Sequence, residues 1–162
     1  MRLILVRHAE AEAESPSTMG DFGRSLTRRG REQAADTGEY LHAHTKRKKG
    51  LRVWTSPFVR AVQTAEELAA QLPDAAVSVA EVLGSGQSVN GEVTMCLALG
   101  SKEDAVLVGH EPLLSELGAE LLSLRSLPFS FEKGACLILR KGKKGFMFVS
   151  YRAPFGKERD EL

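Results

Sequence analysis

The chain has 162 residues, 22 Lys and Arg against 21 Asp and Glu, and a formal net charge of +1. Roughly 100 to 200 residues per domain is usual, so a single domain spanning the whole chain is expected. Near-balanced charge gives no whole-surface field for nucleic acid or an anionic membrane, and no stretch reaches the roughly 20 apolar residues of a membrane span, so a soluble, cytoplasmic protein is expected.

In chain order, the apolar run Leu3-Ile4-Leu5-Val6 reads as a first strand and delivers Arg7 and His8 at its carboxyl end. It is too short for a signal-peptide core. After a polar loop from Ala11 to Arg24, Thr27 is placed to cap a helix with small or apolar positions at Ala34, Gly38 and Leu41, ending near His44. His42 and His44 are two apart on that helix and do not share a face, which makes them a poor metal pair. The basic run Lys46-Arg47-Lys48-Lys49-Gly50 reads as a solvated turn, because cations are favourable near a helix C-terminus. Arg52 to Thr55 reads as a strand. Ser56 and Pro57 then read as N-cap and first residue of a helix to about Leu72, with Arg60 in its first turn. Val77, Val79 and Glu81 alternate on one face of a third strand, and Gly84, Gly86 and Asn90 form a loop. A helix with Val93, Leu97 and Leu99 leads to the strand Ala105 to Val108, which delivers His110. Pro112 suits the start of a helix with Leu113, Leu114, Leu117, Leu121 and Leu122 as its buried stripe. Ala135 to Arg140 and Phe146 to Tyr151 read as a terminal strand pair, and the charged tail from Pro154 to Leu162 as loosely ordered. Cys96 and Cys136 lie in separate apolar contexts and read as buried free thiols. The last four residues resemble an endoplasmic-reticulum retention signal, a coincidence without a secretory leader.

Short apolar runs alternating with helical segments predict a three-layer α/β/α sandwich, its central sheet mostly parallel with helices on both faces. In such sheets ligands bind at the carboxyl ends of the strands. That edge collects Arg7 with His8, Arg60, and His110. Guanidinium forks match phosphate oxygens, amides at a helix start add donors, and a neutral histidine among them can attack phosphorus. Trp54 and Phe58 read as packing in or beside the core, with Phe58 at the rim of the site. Arg24 reads either as lining that pocket or as bracing the loop after Gly20.

At these residues the chain resembles the histidine phosphatase superfamily, with its phosphoglycerate mutase-like fold, from Arg2 to about Leu139. It looks most like the small phosphohistidine phosphatases of the SixA type. The motifs that carry the likeness are Arg7-His8, Arg24-Ser25-Leu26-Thr27 with Gly30, Ser56-Pro57-Phe58-Val59-Arg60-Ala61 with Gln63-Thr64, Gly109-His110-Glu111-Pro112, and Lys133-Gly134-Ala135. Ala9 stands where the broad family usually has glycine, which implies that position 9 needs no left-handed backbone. The resemblance implies that His8 is the nucleophile and that Arg7, Arg60 and His110 hold the phosphoryl group. It places Glu81 in the region of the family's proton donor, with Glu111, Glu10 and Asp21 as competitors. A protonated imidazole departs readily, so loss of Glu81 is expected to be tolerated with a phosphohistidine substrate.

Larger family members use inserted segments as lids over small sugar phosphates, and no large insertion follows Val79. This favours phosphohistidine presented by another protein, such as a phosphotransfer domain, with signalling as the implied setting. Two alternatives stay open: a phosphatase for small phosphomonoesters or nucleotide phosphates, and an idle phosphate-recognition module. No metal site, nucleotide motif or cofactor site is visible. The oligomeric state cannot be read, and a monomer is favoured.

Overall fold

A computed structural model of the chain describes residues 1–44, 51–84, 86 and 104–162. The expected loop residue Asn90, the helix with Val93, Leu97 and Leu99, the basic run 46–50 and Cys96 lie outside them. The described strands are β1 (Arg2–Arg7), β2 (Arg52–Thr55), β3 (Ala76–Val79), β4 (Ala105–Gly109), β5 (Cys136–Lys141), β6 (Phe146–Arg152) and β7 (Glu158–Arg159). The described helices are α1 (Arg28–His44), α2 (Val59–Ala69) and α3 (Leu113–Leu121).

The strands form one sheet in the order β3-β2-β4-β1-β5-β6-β7. β3, β2, β4 and β1 pair in parallel, whereas β5, β6 and β7 add antiparallel. The apolar run in β1 follows from its central place. Leu3 and Leu5 pack with Leu114, Leu117 and Leu121 of α3. Ile4 and Val6 point to the opposite face, among Leu41 of α1 and Ala61, Ala65 and Leu68 of α2. A parallel strand covered on both sides must be apolar at consecutive positions, and each such side chain contributes about 1.5–3 kcal/mol on burial. Helices on both faces of a central sheet make the expected α/β/α sandwich.

Helix α1 starts as its sequence predicts, because Thr27 Oγ1 accepts the Gly30 N–H at 2.9 Å. Helix α2 does not. It begins at Val59 rather than Pro57, and Phe58 is its N-cap, with no side-chain bond. The tail also differs from expectation. Arg152 donates to Asp36 at 2.8 and 3.2 Å, the Phe155 N–H donates to the same carboxylate, and β7 adds to the sheet, so residues 152–159 are tied down. Cys136 is buried and free, and burial pushes its thiol up to about 12, which leaves it unreactive.

Candidate active site

Because β2, β4 and β1 are neighbours and run the same way, their carboxyl ends place Ser56, His110 and His8 side by side. The rings of His8 and His110 lie 5.1 Å apart between centroids, and the two residues are 8% and 4% exposed. Arg7 adjoins His8 in β1, and Arg60, 4% exposed, comes from the first turn of α2. All four thus meet at one edge, as the sequence predicts.

Backbone hydrogen bonds hold the end of β1. The Gly134 N–H donates to the carbonyls of Arg7 and His8 at 3.1 and 3.2 Å, the His8 N–H donates to Gly109, and the Arg7 N–H to Ala135. Gly134 has φ +78°, a left-handed conformation that favours glycine, and Thr37 Oγ1 donates to its carbonyl at 2.8 Å. Ala9 is not among the residues with positive φ, in keeping with its alanine. Its N–H donates to Thr64 Oγ1 at 3.0 Å, which pins the loop after β1 to α2.

These contacts set the chemistry of His8. Its Nδ1–H donates to the Ala9 carbonyl at 2.8 Å, which leaves the lone pair on Nε2. Burial, foremost, and the charges of His110, Arg60 and Arg7 push its pKa down to about 3, against a smaller opposing effect of the Ala9 bond. His110 is lowered to about 4, first by burial and then by Arg60. Both rings are therefore neutral at pH 7. His110 Nε2 lies 2.8 Å from Ser56 Oγ, which also accepts the Phe58 N–H at 3.3 Å. Ser56 is thus occupied by His110, which explains why it does not cap α2.

Each arginine is oriented by a backbone carbonyl. Arg7 Nη1 donates to Phe131 O at 2.7 Å, and Arg60 Nη1 to Asp21 O at 2.7 Å. In both, Nε is buried without a hydrogen-bond partner. Buried donors are normally paired, so these two guanidinium N–H groups stand out beside a neutral imidazole.

The carboxylates divide differently from the cations. Asp21 alone among the candidates pairs with one of the four, meeting Arg60 Nη2 at 3.0 Å, and it also bonds Arg24 at 2.7 Å. Its slight burial raises the pKa, but Arg60 and Arg24 outweigh that and hold the carboxyl below its usual range, which makes it a poor proton donor. Arg24 reaches Asp21 and the Glu12 carbonyl, so it braces the loop. Glu10 accepts the Thr27 hydroxyl at 2.8 Å. Glu111 accepts Ser115 Oγ–H at 2.9 Å and the Phe131 N–H at 3.2 Å, and so steadies the residue that Arg7 holds. Glu81 is exposed in a 3-10 turn (Glu81–Leu83) after the edge strand β3 and makes no hydrogen bond or ion pair with His8, Arg7, Arg60 or His110. No group of three or more His, Cys, Asp or Glu among the described residues is arranged to hold a metal ion, and no described helix is long and apolar enough to cross a membrane.

Ser56 thus serves His110 rather than a helix cap, and Thr64, Thr37 and Gln33 are supports to which no task is assigned above. All are buried polar residues on an otherwise apolar helix face or strand end. That is the signal that finds them, since such a group requires a partner.

Comparison with known proteins bears on this arrangement. The model of the histidine phosphatase superfamily, branch 1, matches residues 3–83, half of the chain and up to the end of the turn after β3. His110 lies beyond that match. No curated protein sequence matches significantly. The protein histidine phosphatase SixA complexed with tungstate is similar in structure, with a TM-score of 0.83 and 26% identity over 96% of this chain and 98% of that one. A structure assigned as SixA from Agrobacterium tumefaciens gives 0.79 and 20% identity over 94% and 98%. An H9A mutant of phosphoserine phosphatase from Entamoeba histolytica, in complex with phosphoserine, gives 0.69 and 17% over 93% and 95%.

Proposed function

The chain belongs to the histidine phosphatase superfamily, and on that premise we propose that it is a metal-independent phosphatase that removes the phosphoryl group from phosphohistidine on a protein, by way of a covalent phospho-His8. The observation that carries this reading is the state of His8. Its Nδ1 proton is committed to Ala9, its Nε2 lone pair is free, and its low pKa keeps it unprotonated at any physiological pH.

In the first step Nε2 of His8 bonds to phosphorus as the substrate's P–N bond breaks. The electron pair of that bond stays on the leaving imidazole, whose ring has taken a proton from solvent. Arg7 and Arg60 neutralise the equatorial oxygens, and His110 closes the pocket beside them. In the second step water bonds to phosphorus, a proton passes to solvent, and inorganic phosphate leaves His8 neutral again. Similarity to a protein histidine phosphatase bound to tungstate, a tetrahedral oxyanion, supports the substrate class. So does the depth of the site, whose nucleophile is 8% exposed and suits a phosphoryl carried on a slender side chain.

The test is phosphate release by wild type and His8→Ala, in chelator, from a phosphohistidine protein and from a panel of free phosphomonoesters. Preference for the protein, abolished in the variant, is the expected result. Retained turnover in His8→Ala overturns the mechanism, preference for a metabolite overturns the substrate, and stoichiometric binding without release overturns catalysis.

A further inference from the structure

A row of rings leads outward from the phosphoryl site. His110, at its inner end, is 4% exposed. Phe58 meets His110 edge-on at 5.0 Å and carries the Arg60 guanidinium at 4.7 Å. Phe22 stands 4.9 Å from Phe58 and is 37% exposed. Neither phenylalanine belongs to the hydrophobic clusters that hold the fold. Phe22 lies instead in the 3-10 turn Gly20–Gly23, which Asp21 fastens to Arg60 through both its carbonyl and its carboxylate. The loop is thus drawn to the site by charge and brings an exposed ring with it.

What singles Phe22 out is its place, because its ring stands on Phe58, which in turn contacts both His110 and the Arg60 guanidinium, so the pair lies where the group bonded to phosphorus leaves the pocket. We infer that Phe22 and Phe58 form the face on which a planar aromatic leaving group lies while its phosphoryl group is transferred, the imidazole of phosphohistidine being the ring that fits the proposed function. This rests on the reading that His8 receives the phosphoryl group. Offset or edge-to-face packing against a ring favours substrates whose phosphorus is bonded to an aromatic nitrogen or oxygen, and does nothing for a ringless one. The rings therefore act as specificity determinants outside the oxyanion pocket.

The test compares wild type with Phe22→Ala, Phe22→Leu and Phe22→Tyr on phosphohistidine and on phosphoramidate, which share a P–N bond and differ in the ring. The quantity read is the ratio of kcat/KM between the two substrates. Phe22→Ala and Phe22→Leu are expected to lower that ratio about tenfold, and Phe22→Tyr to keep it. Phe22→Leu separates the ring from mere apolar bulk, so a wild-type ratio in that variant overturns the inference. Equal losses on both substrates overturn it too, since they mean that Phe22 only places the loop. Should wild type cleave phosphomonoesters and neither P–N compound, the phosphohistidine reading fails on its own. The same variants are then read on the ratio between p-nitrophenyl phosphate and glycerol phosphate, by the same criteria.

Discussion

Glu81 is the one candidate proton donor whose side chain has no hydrogen bond among the described residues, and its place in the sheet limits what it does. It follows β3, three strands from β1, so about 14 Å of sheet width separates its strand from the one that delivers His8. A donor delivers its proton to the oxygen bonded to phosphorus, so the role requires the exposed Glu81 side chain to lean across the carboxyl ends of β2 and β4. An alkoxide needs a proton as its bond to phosphorus breaks, whereas an imidazole takes one from water beforehand. Glu81→Gln is therefore expected to hold phosphohistidine turnover within about threefold of wild type while slowing an alkyl phosphomonoester by about a hundredfold. Steady-state rates on the two substrates decide it, and an equal loss on both sinks the role of donor. Arg7, His8 and His110 were legible in the sequence because a strand end fixes each to one residue, and Arg60 because a helix start follows β2. Their supports were not. Ser56 reads as a helix cap from its neighbour Pro57, and only the pairing of β2 with β4 puts its hydroxyl against His110 instead.

At the scale of elements, the loop from His8 to Thr27 is fastened along its length to the starts of α1 and α2. The Glu10 N–H donates to Gln33 Oε1 at 2.9 Å, the Leu26 N–H to Gln63 Oε1 at 2.7 Å, and the Thr27 N–H to the Glu10 carbonyl at 3.0 Å. Gly30 is where this seam is tightest, since a Cβ built there falls 1.9 Å from the Glu10 carbonyl oxygen. That oxygen belongs to backbone and also accepts Thr27, so it has nowhere to go. Gly30→Ala is expected to destabilise the fold by about 1–3 kcal/mol, despite alanine's better helix propensity, and to lower kcat in the fraction that stays folded. The second effect follows because the displaced segment includes Ala9, whose carbonyl sets the tautomer of His8. Thermal unfolding read beside kcat checks both, and a variant as stable and active as wild type removes the seam from the account of the site. Element types and most limits were legible, α1 down to its Thr27 cap and its end at His44, because periodicity and capping are local. The hold on the C-terminal tail was not, since it depends on Asp36, more than a hundred positions away in the chain.

For the whole molecule, strand order is what no local pattern encodes, yet order is what gathers Arg7, His8, Arg60 and His110 from the length of the chain. The cost of gathering them appears as pH dependence. His8 and His110 titrate near 3 and 4 when folded, mainly because they are buried, and near 6.5 when unfolded. The unfolded chain thus binds protons that the folded one refuses. Their contribution to stability is complete above pH 6.5 and is lost as pH falls through that value toward 3 to 4. A bound oxyanion reverses the balance, because it favours the charged form of both rings and raises their pKa values. By linkage, protonation must then strengthen anion binding by the same factor. Sulfate is the suitable probe, since it keeps both charges from pH 8 to pH 5. At a hundred times its Kd it is expected to add about 2.7 kcal/mol, or about 5–10 °C in Tm, and the increment at fixed concentration is expected to grow as pH falls from 8 to 5. In a His8→Asn, His110→Asn double variant the two arginines remain and the titrating rings do not, so the increment becomes insensitive to pH over that range. Thermal unfolding across a pH series, with and without sulfate, reads this directly. An increment that shrinks with acid in the wild type means that the pair does not take up protons with the anion, and that the arginines alone carry the oxyanion's charge.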